Sequence, residues 1–214
     1  MVDQRENMEE MLDRAAVGDG AAWGALLTAH QERLVRMVAF RMDPCLRGRI
    51  DAADVVQDAF VAASAHREDY FRAATVPLFL WLRGVVSNKL LELHRHHLGA
   101  HMRDAKRERA LEAPRARDDT TAALCAQLAG HLTSPSVAAG RDEIKTRLAD
   151  ALDKMDATDR EVLTLRHFEQ LSNAEAAQVV GIQERAAAKR YLRALERLKV
   201  ILSELPGGLS EVRL

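Results

Sequence analysis

Apolar residues recur at helical spacing in two blocks of this chain, and the break between them constrains the fold more than any other feature. In residues 8–98, Trp23, Leu27, Leu34 and Val38 form one series. Val55, Val56, Ala59, Phe60 and Ala63 form a second, and Leu78, Leu82, Val85, Val86, Leu90 and Leu93 a third. Asp43-Pro44 ends the first, Asp51 is placed to cap the second, and Thr75-Val76-Pro77 closes an irregular stretch before the third. Residues 141–204 return to the same period, with Leu148, Leu152 and Met155 on one helix. Between the blocks, 99–140 holds Gly99, Pro114, Gly130, Pro135, Gly140 and the run TSPS, with no core pattern. The expectation is an all-α protein: a helical domain over 8–98, a linker over 99–140, longer than compact domains need, and a second helical domain over 141–204.

Composition agrees where it bears on the question. Aromatic residues are 4% and charged residues 29%, and Ala and Leu carry most of the apolar content, a balance that favours helices. Two cysteines, Cys45 and Cys125, make no disulfide framework and point to a reducing cytoplasm. The opening MVDQRENMEEML is too polar for a signal peptide, and VPLFLWL is too short to span a bilayer.

The net charge is −1, yet residues 181–199 gather Arg185, Lys189, Arg190, Arg193, Arg197 and Lys199 against Glu184 and Glu196. On a helix at about 100° per residue, Arg185, Lys189, Arg190, Arg193 and Arg197 span an arc of roughly 140°. Ala187, Tyr191, Ala194, Leu195, Leu198, Ile201 and Leu202 span a separate arc of roughly 120°. One side suits a core and the other an anion. Before this helix, Ser172 and Glu175 spell a capping box, and Gly181 supplies a turn needing positive φ. Thr158 and Glu161 spell another box upstream. A capped helix, a glycine turn and a basic helix make a helix-turn-helix, favoured here over a merely solvated basic face. Its second helix enters the major groove with its N-terminal side chains leading. Gln183, Glu184, Arg185 and Lys189 are then nearest base edges, while Arg190, Arg193 and Arg197 grip phosphates.

The segment LADALDKMDATDREVLTLRHFEQLSNAEAAQVVGIQERAAAKRYLRALERLK resembles region 4 of sigma-70-family factors of the extracytoplasmic-function (ECF) group. Arg160, Glu161, Val162, Leu163, Leu165, Ser172, Glu175, Ala177, Gly181, Ile182, Arg190, Leu192, Arg193, Ala194 and Leu198 match the family's pattern. DAADVVQDAFVAA resembles region 2.2, and LFLWLRGVVSNKLLELHRHH resembles regions 2.3 and 2.4 through Trp81, Leu82, Asn88 and Arg95. The opening GD..AW..L and the wording AAAKRYLRAL are similar to a planctomycete-type subgroup. Ala186-Ala187 stand where the family carries Thr-Val, and Arg185 replaces a commonly small residue, which leaves the −35 sequence open.

The resemblance implies a promoter-specificity subunit of RNA polymerase, without enzymatic activity, cofactor or metal, and with three surfaces. Asp54, Gln57, Asp58 and Val61 share one helical face, which by resemblance meets a basic coiled coil of core RNA polymerase. Asn88, Glu92 and Arg95 fall at i, i+4 and i+7, and with Lys89 they are assigned to the −10 element of promoter DNA. The loop at 67–77 would hold a flipped base, with Tyr70 and Phe71 available to stack on it; Trp81 is read as core. The basic helix at 183–202 takes the −35 element, and family habit suggests an anti-sigma factor as a further partner. His94, His97 and His101 stand at i, i+3 and i+7 but lack a completing Cys or carboxylate, so they are assigned to a basic surface and not to a metal. The alternative function is a dimeric helix-turn-helix regulator that works without polymerase.

Overall fold

The computed structural model describes residues 2–43, 46, 48–73, 76–105, 124, 148–150 and 152–203, and their side chains except at 2–6, 97–105, 201 and 202. Most of the expected linker, with Cys45 and Cys125, lies outside the described residues. Among the described residues every regular element is a helix, so the fold is all-α. The chain divides into two compact units, Met1–Ala110 and Leu111–Leu214.

The first unit holds α1 (Val2–Ala16), α2 (Gly20–Arg41), α3 (Ala52–Ala65), α4 (Arg67–Ala73) and α5 (Leu78–Ala105). Asp19 starts α2 by accepting the amides of Ala21 and Ala22, and Asp51 starts α3 by accepting that of Ala53. The three apolar series read in the sequence then meet: α2, α3 and α5 pack on one another around Leu26, Leu34, Met37, Val56, Ala59, Leu82 and Val86. Each large aliphatic side chain so buried contributes about 1.5–3 kcal/mol relative to exposure. A polar tie joins two of the helices, since Trp23 Nε1 donates to Ser64 Oγ at 3.0 Å. The helix α5 runs through Gly99 to Ala105, past the point where the sequence predicts the linker to begin. A lone glycine costs a helix only about 1 kcal/mol, and the residues around it are good helix formers.

In the second unit residues 148–150 and 152–153 are helical, followed by α6 (Ala157–Leu163), a π-helical turn (Thr164–Phe168), α7 (Asn173–Val180) and α8 (Glu184–Ser203). Leu148, Leu152, Leu163, Leu165, Leu171, Ala187, Ala194 and Leu198 are buried. The capping box expected at Thr158 and Glu161 does not form. Asp156 starts α6 instead, accepting the amides of Thr158 and Asp159 at 3.0 and 3.1 Å, so Thr158 falls inside the first turn. The box at Ser172 and Glu175 does form, with both reciprocal bonds present. The π turn is absent from the sequence reading. It widens the end of α6 by one residue, with the Glu169 amide donating to the Thr164 carbonyl at 3.0 Å, and Gln170 then reverses the chain at φ 57.

Gly181 ends α7 with φ 74 and ψ 35, as its place between two helices requires. An added Cβ at Gly181 would meet nothing within 4 Å, so a substitution here acts through backbone strain alone. Gly181→Ala is expected to lower the stability of this unit by about 1–2 kcal/mol. Gly181→Asn should lose less, because Asn tolerates the left-handed region. Urea denaturation of the two variants checks both numbers; an equal loss in both would put the cost outside the backbone.

Candidate nucleic-acid interface

The helix-turn-helix is built by α7, Gly181 and α8. Ala176 and Ala177 are buried, and their small side chains let α7 lie close on α8. The Ile182 amide donates to the Ala177 carbonyl and the Ala187 amide to that of Gln183, which carries the chain directly from one helix into the next. Gln183, Glu184, Arg185, Lys189 and Arg197 are exposed, and among the described residues their side chains make no hydrogen bond or ion pair. Leu192, 61% exposed, stands beside Lys189 on the same outward face.

Arg190 and Arg193, read in the sequence as phosphate contacts, are both engaged by a carboxylate of α6. Asp159, in the first turn of α6, is 2% exposed and takes both. Arg190 Nη1 lies 2.6 Å from Asp159 Oδ1 and 2.9 Å from Asp156 Oδ1. Arg193 adds a forked contact, Nε to Oδ2 at 2.9 Å and Nη2 to Oδ1 at 3.2 Å. The hydrogen bond to Asp159 pushes the Arg190 guanidinium further up in pKa. Asp156 is held below the ordinary carboxylate range, first by the Asp159 amide and then by Arg190. The sequence reading missed Asp159. The available signal was charge: DATD opens one helix of the unit while six cations gather on another.

Because Asp156 has a lower pKa folded than unfolded, its contribution is present above the ordinary value of 3.8 and is lost as pH falls through the folded value. The melting midpoint of this unit is therefore expected to fall below pH 3.8, and more gently in Asp156→Asn. Thermal melts across pH 2–5 test this; parallel profiles for the two proteins would contradict it.

One buried and one half-buried guanidinium, those of Arg160 and Arg166, hold the scaffold under α8. Arg160 Nη1 donates to the carbonyls of Leu152 and Met155 at 2.6 and 3.0 Å, tying α6 to the preceding helical residues. Arg166 donates to the Leu171 carbonyl and lies 5.2 Å from the ring centroid of Tyr191 on α8.

In the first unit Asp54, Gln57, Asp58 and Val61 all stand exposed on α3, Val61 at 73%. Val55, Val56, Ala59, Phe60 and Ala63 face the core, as the periodicity predicts. On α5, Asn88, Glu92 and Arg95 are exposed along one stripe, with Leu91 among them. Lys89 is half-buried and shared: its Nζ lies 3.5 Å from Asp58 Oδ2 and 3.7 Å from Glu92 Oε2. The structure thus joins a residue assigned to polymerase with one assigned to DNA.

Tyr70 does not offer a face to a flipped base. It is 8% exposed, packed 5.0 Å from Phe71 and 5.1 Å from Trp81 between ring centroids, and burial pushes its phenol up in pKa. Phe71 is half-buried, 6.0 Å from Trp23. Four aromatic rings, Trp23, Tyr70, Phe71 and Trp81, thus pack together where the sequence reading assigned Trp23 and Trp81 to the core and left Tyr70 and Phe71 open to a base. His94 is also buried and not on a basic surface: its Nε2 accepts the Asp43 amide at 3.3 Å. The side chains of His97 and His101 lie outside the described residues.

Comparison with known proteins agrees with this geometry. A family model described as sigma-70, region 4, matches residues 145–198, the helix-turn-helix unit. The RNA polymerase sigma factor CnrH of Cupriavidus metallidurans is 30% identical over 191 residues, covering 88% of this chain and 91% of that protein. The sigma factor NccH of Alcaligenes xylosoxydans is 28% identical, covering 91% of this chain and 94% of its own. The ECF sigma factor SigD of Mycobacterium bovis is 29% identical, covering 93% and 85%. Among solved structures, CnrH in complex with the cytosolic domain of CnrY matches with a TM-score of 0.50 and 27% identity, over 92% of this chain and 97% of that one. These relatives do not support a dimeric regulator working apart from polymerase. With the helix-turn-helix in the second unit and similarity running across nearly the whole length, this chain belongs to the RNA polymerase sigma factors of the ECF group and is a transcription initiation factor.

Proposed function

We propose that the chain docks on core RNA polymerase through Asp54, Gln57, Asp58 and Val61, and reads promoter DNA with both of its units. Residues 8–98 take the −10 element through Asn88, Lys89, Glu92 and Arg95, with Phe71 at the edge of the base pocket. Residues 141–204 take the −35 element through Gln183, Glu184, Arg185, Lys189 and Arg197, and 99–140 connect the two. The observation that carries this reading is the left-handed turn at Gly181, which delivers a helix whose leading cations stand outward and unpaired among the described residues. Polymerase supplies all the chemistry; this chain supplies specificity and acts in the cytoplasm. Among the described residues no helix is long and apolar enough to cross a membrane. The match to CnrH bound to the cytosolic domain of CnrY supports a protein partner that sequesters this factor, an anti-sigma factor. The sequence wording AAAKRYLRAL is the feature that supports a planctomycete-like subgroup within this reading.

Run-off transcription with core polymerase on a library of genomic fragments tests the reading. Discrete transcripts that require this chain are expected. Transcription that is the same with and without it would overturn the proposal.

A further inference from the structure

On α8 the described residues buried against α6 and α7 include Ala187 and Ala194, and among the described side chains of this helix Leu198 is the one large one that is fully buried. Alanines allow close approach but offer little shape to stop a helix rolling about its axis. The rotation of α8 decides which side chains meet the DNA, so something else must set it. Two carboxylates at the start of α6 reach α8: Asp156, exposed, meets Arg190 alone, while Asp159 meets both Arg190 and Arg193 and is buried, so it has to be paired. Arg190 lies about 140° round the helix from Arg185, and Lys189 about 40° from it. Pinning Arg190 to α6 therefore turns Arg185 and Lys189 away from α6, where the structure has them exposed.

We propose that Asp159 is a positioning residue for promoter reading: by clasping Arg190 and Arg193 it sets the rotation of α8 and removes Arg190 from the cations that contact phosphate. This rests on the reading of α8 as the −35 helix. The two arginines differ in how they hold the carboxylate. Both Arg190 contacts run through one nitrogen, which a lysine ammonium can replace. Arg193 uses a fork that lysine cannot reproduce.

The test uses the full chain assembled with core polymerase, and a duplex recovered by selection with that holoenzyme from a library randomised upstream of the start. Binding is measured across a salt series, because each phosphate contact adds about 0.9 to the slope of log affinity against log salt. Asp159→Asn removes a negative charge. If the carboxylate only competed with DNA for the arginines, binding would tighten and the slope would steepen. Positioning predicts the reverse: affinity about tenfold weaker with the slope unchanged. Arg190→Ala should behave like Asp159→Asn, and Arg190→Lys should restore most of the loss. Arg197→Ala, at an exposed cation read as a phosphate contact, should lower the slope by about 1. Far-ultraviolet circular dichroism of each variant identifies any that unfold, and Arg190→Lys keeps the proposal testable if Asp159→Asn is one of them. Tighter binding by Asp159→Asn, a lower slope for Arg190→Ala, or no recovery in Arg190→Lys would overturn the proposal. An unchanged slope and affinity in Arg197→Ala would instead overturn the assignment of α8 to DNA.

Discussion

Arg160→Ala is expected to destabilise the second unit by about 3 kcal/mol or more, with no direct loss of any exposed surface. The Arg160 guanidinium closes the helical residues before α6 by donating to the Leu152 and Met155 carbonyls. Leu152 and Met155 are both buried, so water does not replace the lost donor. The Leu152 carbonyl keeps the Met155 amide at 3.0 Å, so the Met155 carbonyl is the one that loses its donor among the described residues, at a cost of about 1–3 kcal/mol, and the space left by the side chain adds a cavity. Removing a charge from a buried site offsets part of this, which keeps the sum near the lower end. Arg160→Lys supplies a donor but not the guanidinium reach, and should fall between the two. Chemical denaturation of the full chain, followed by a probe in the second unit, gives the measurement. A loss under 1 kcal/mol would mean that the Met155 carbonyl finds another partner.

Reversing two charges on α3 should have the largest effect on function. The double variant Asp54→Lys, Asp58→Lys is expected to weaken binding to core polymerase at least a hundredfold while leaving the helical fold intact. Both side chains are exposed and neither carries core packing, so the fold has little at stake. Against the basic coiled coil of polymerase that the sequence resemblance implies, the new lysines would replace attraction by repulsion, which costs several kcal/mol across an interface. Asp58→Lys also places a cation beside Lys89, which now pairs with Asp58 at 3.5 Å. That surface pair contributes about 1 kcal/mol or less, so its loss does not explain a hundredfold effect. Co-elution with core enzyme on size exclusion, beside circular dichroism of the variant, decides the matter. Retained binding would remove this face from the polymerase surface.

The parts of the molecule legible in its sequence are those governed by neighbours a few residues away. Helical period placed Val55, Val56, Ala59, Phe60 and Ala63 on the core side of α3, and they are buried there. Ser172 and Glu175 announced the start of α7, and Gly181 its left-handed end. Where local rules competed, the reading slipped. Asp156 outranked Thr158 as a cap from two residues upstream, and α5 ran through Gly99. The π turn at Thr164–Phe168 left no local mark at all.

Charge and aromaticity were legible as residue types but not as partners. Arg185 and Arg190 stand at opposite edges of one basic arc on a helical wheel, and nothing within the helix says which is held and which is offered. Only the packing of α6 on α8 brings Asp159 to Arg190, 31 residues away, and leaves Arg185 exposed. Lys89 meets Asp58, and His94 meets the Asp43 amide, in the same way. Tyr70 looked free to stack on a base until α2, α4 and α5 enclosed it with Trp23, Phe71 and Trp81. Periodicity and capping are local because a helix closes its own hydrogen bonds within four residues. Which cation is held and which is offered depends on where a second helix aims its carboxylate, and that direction exists only once the helices have packed.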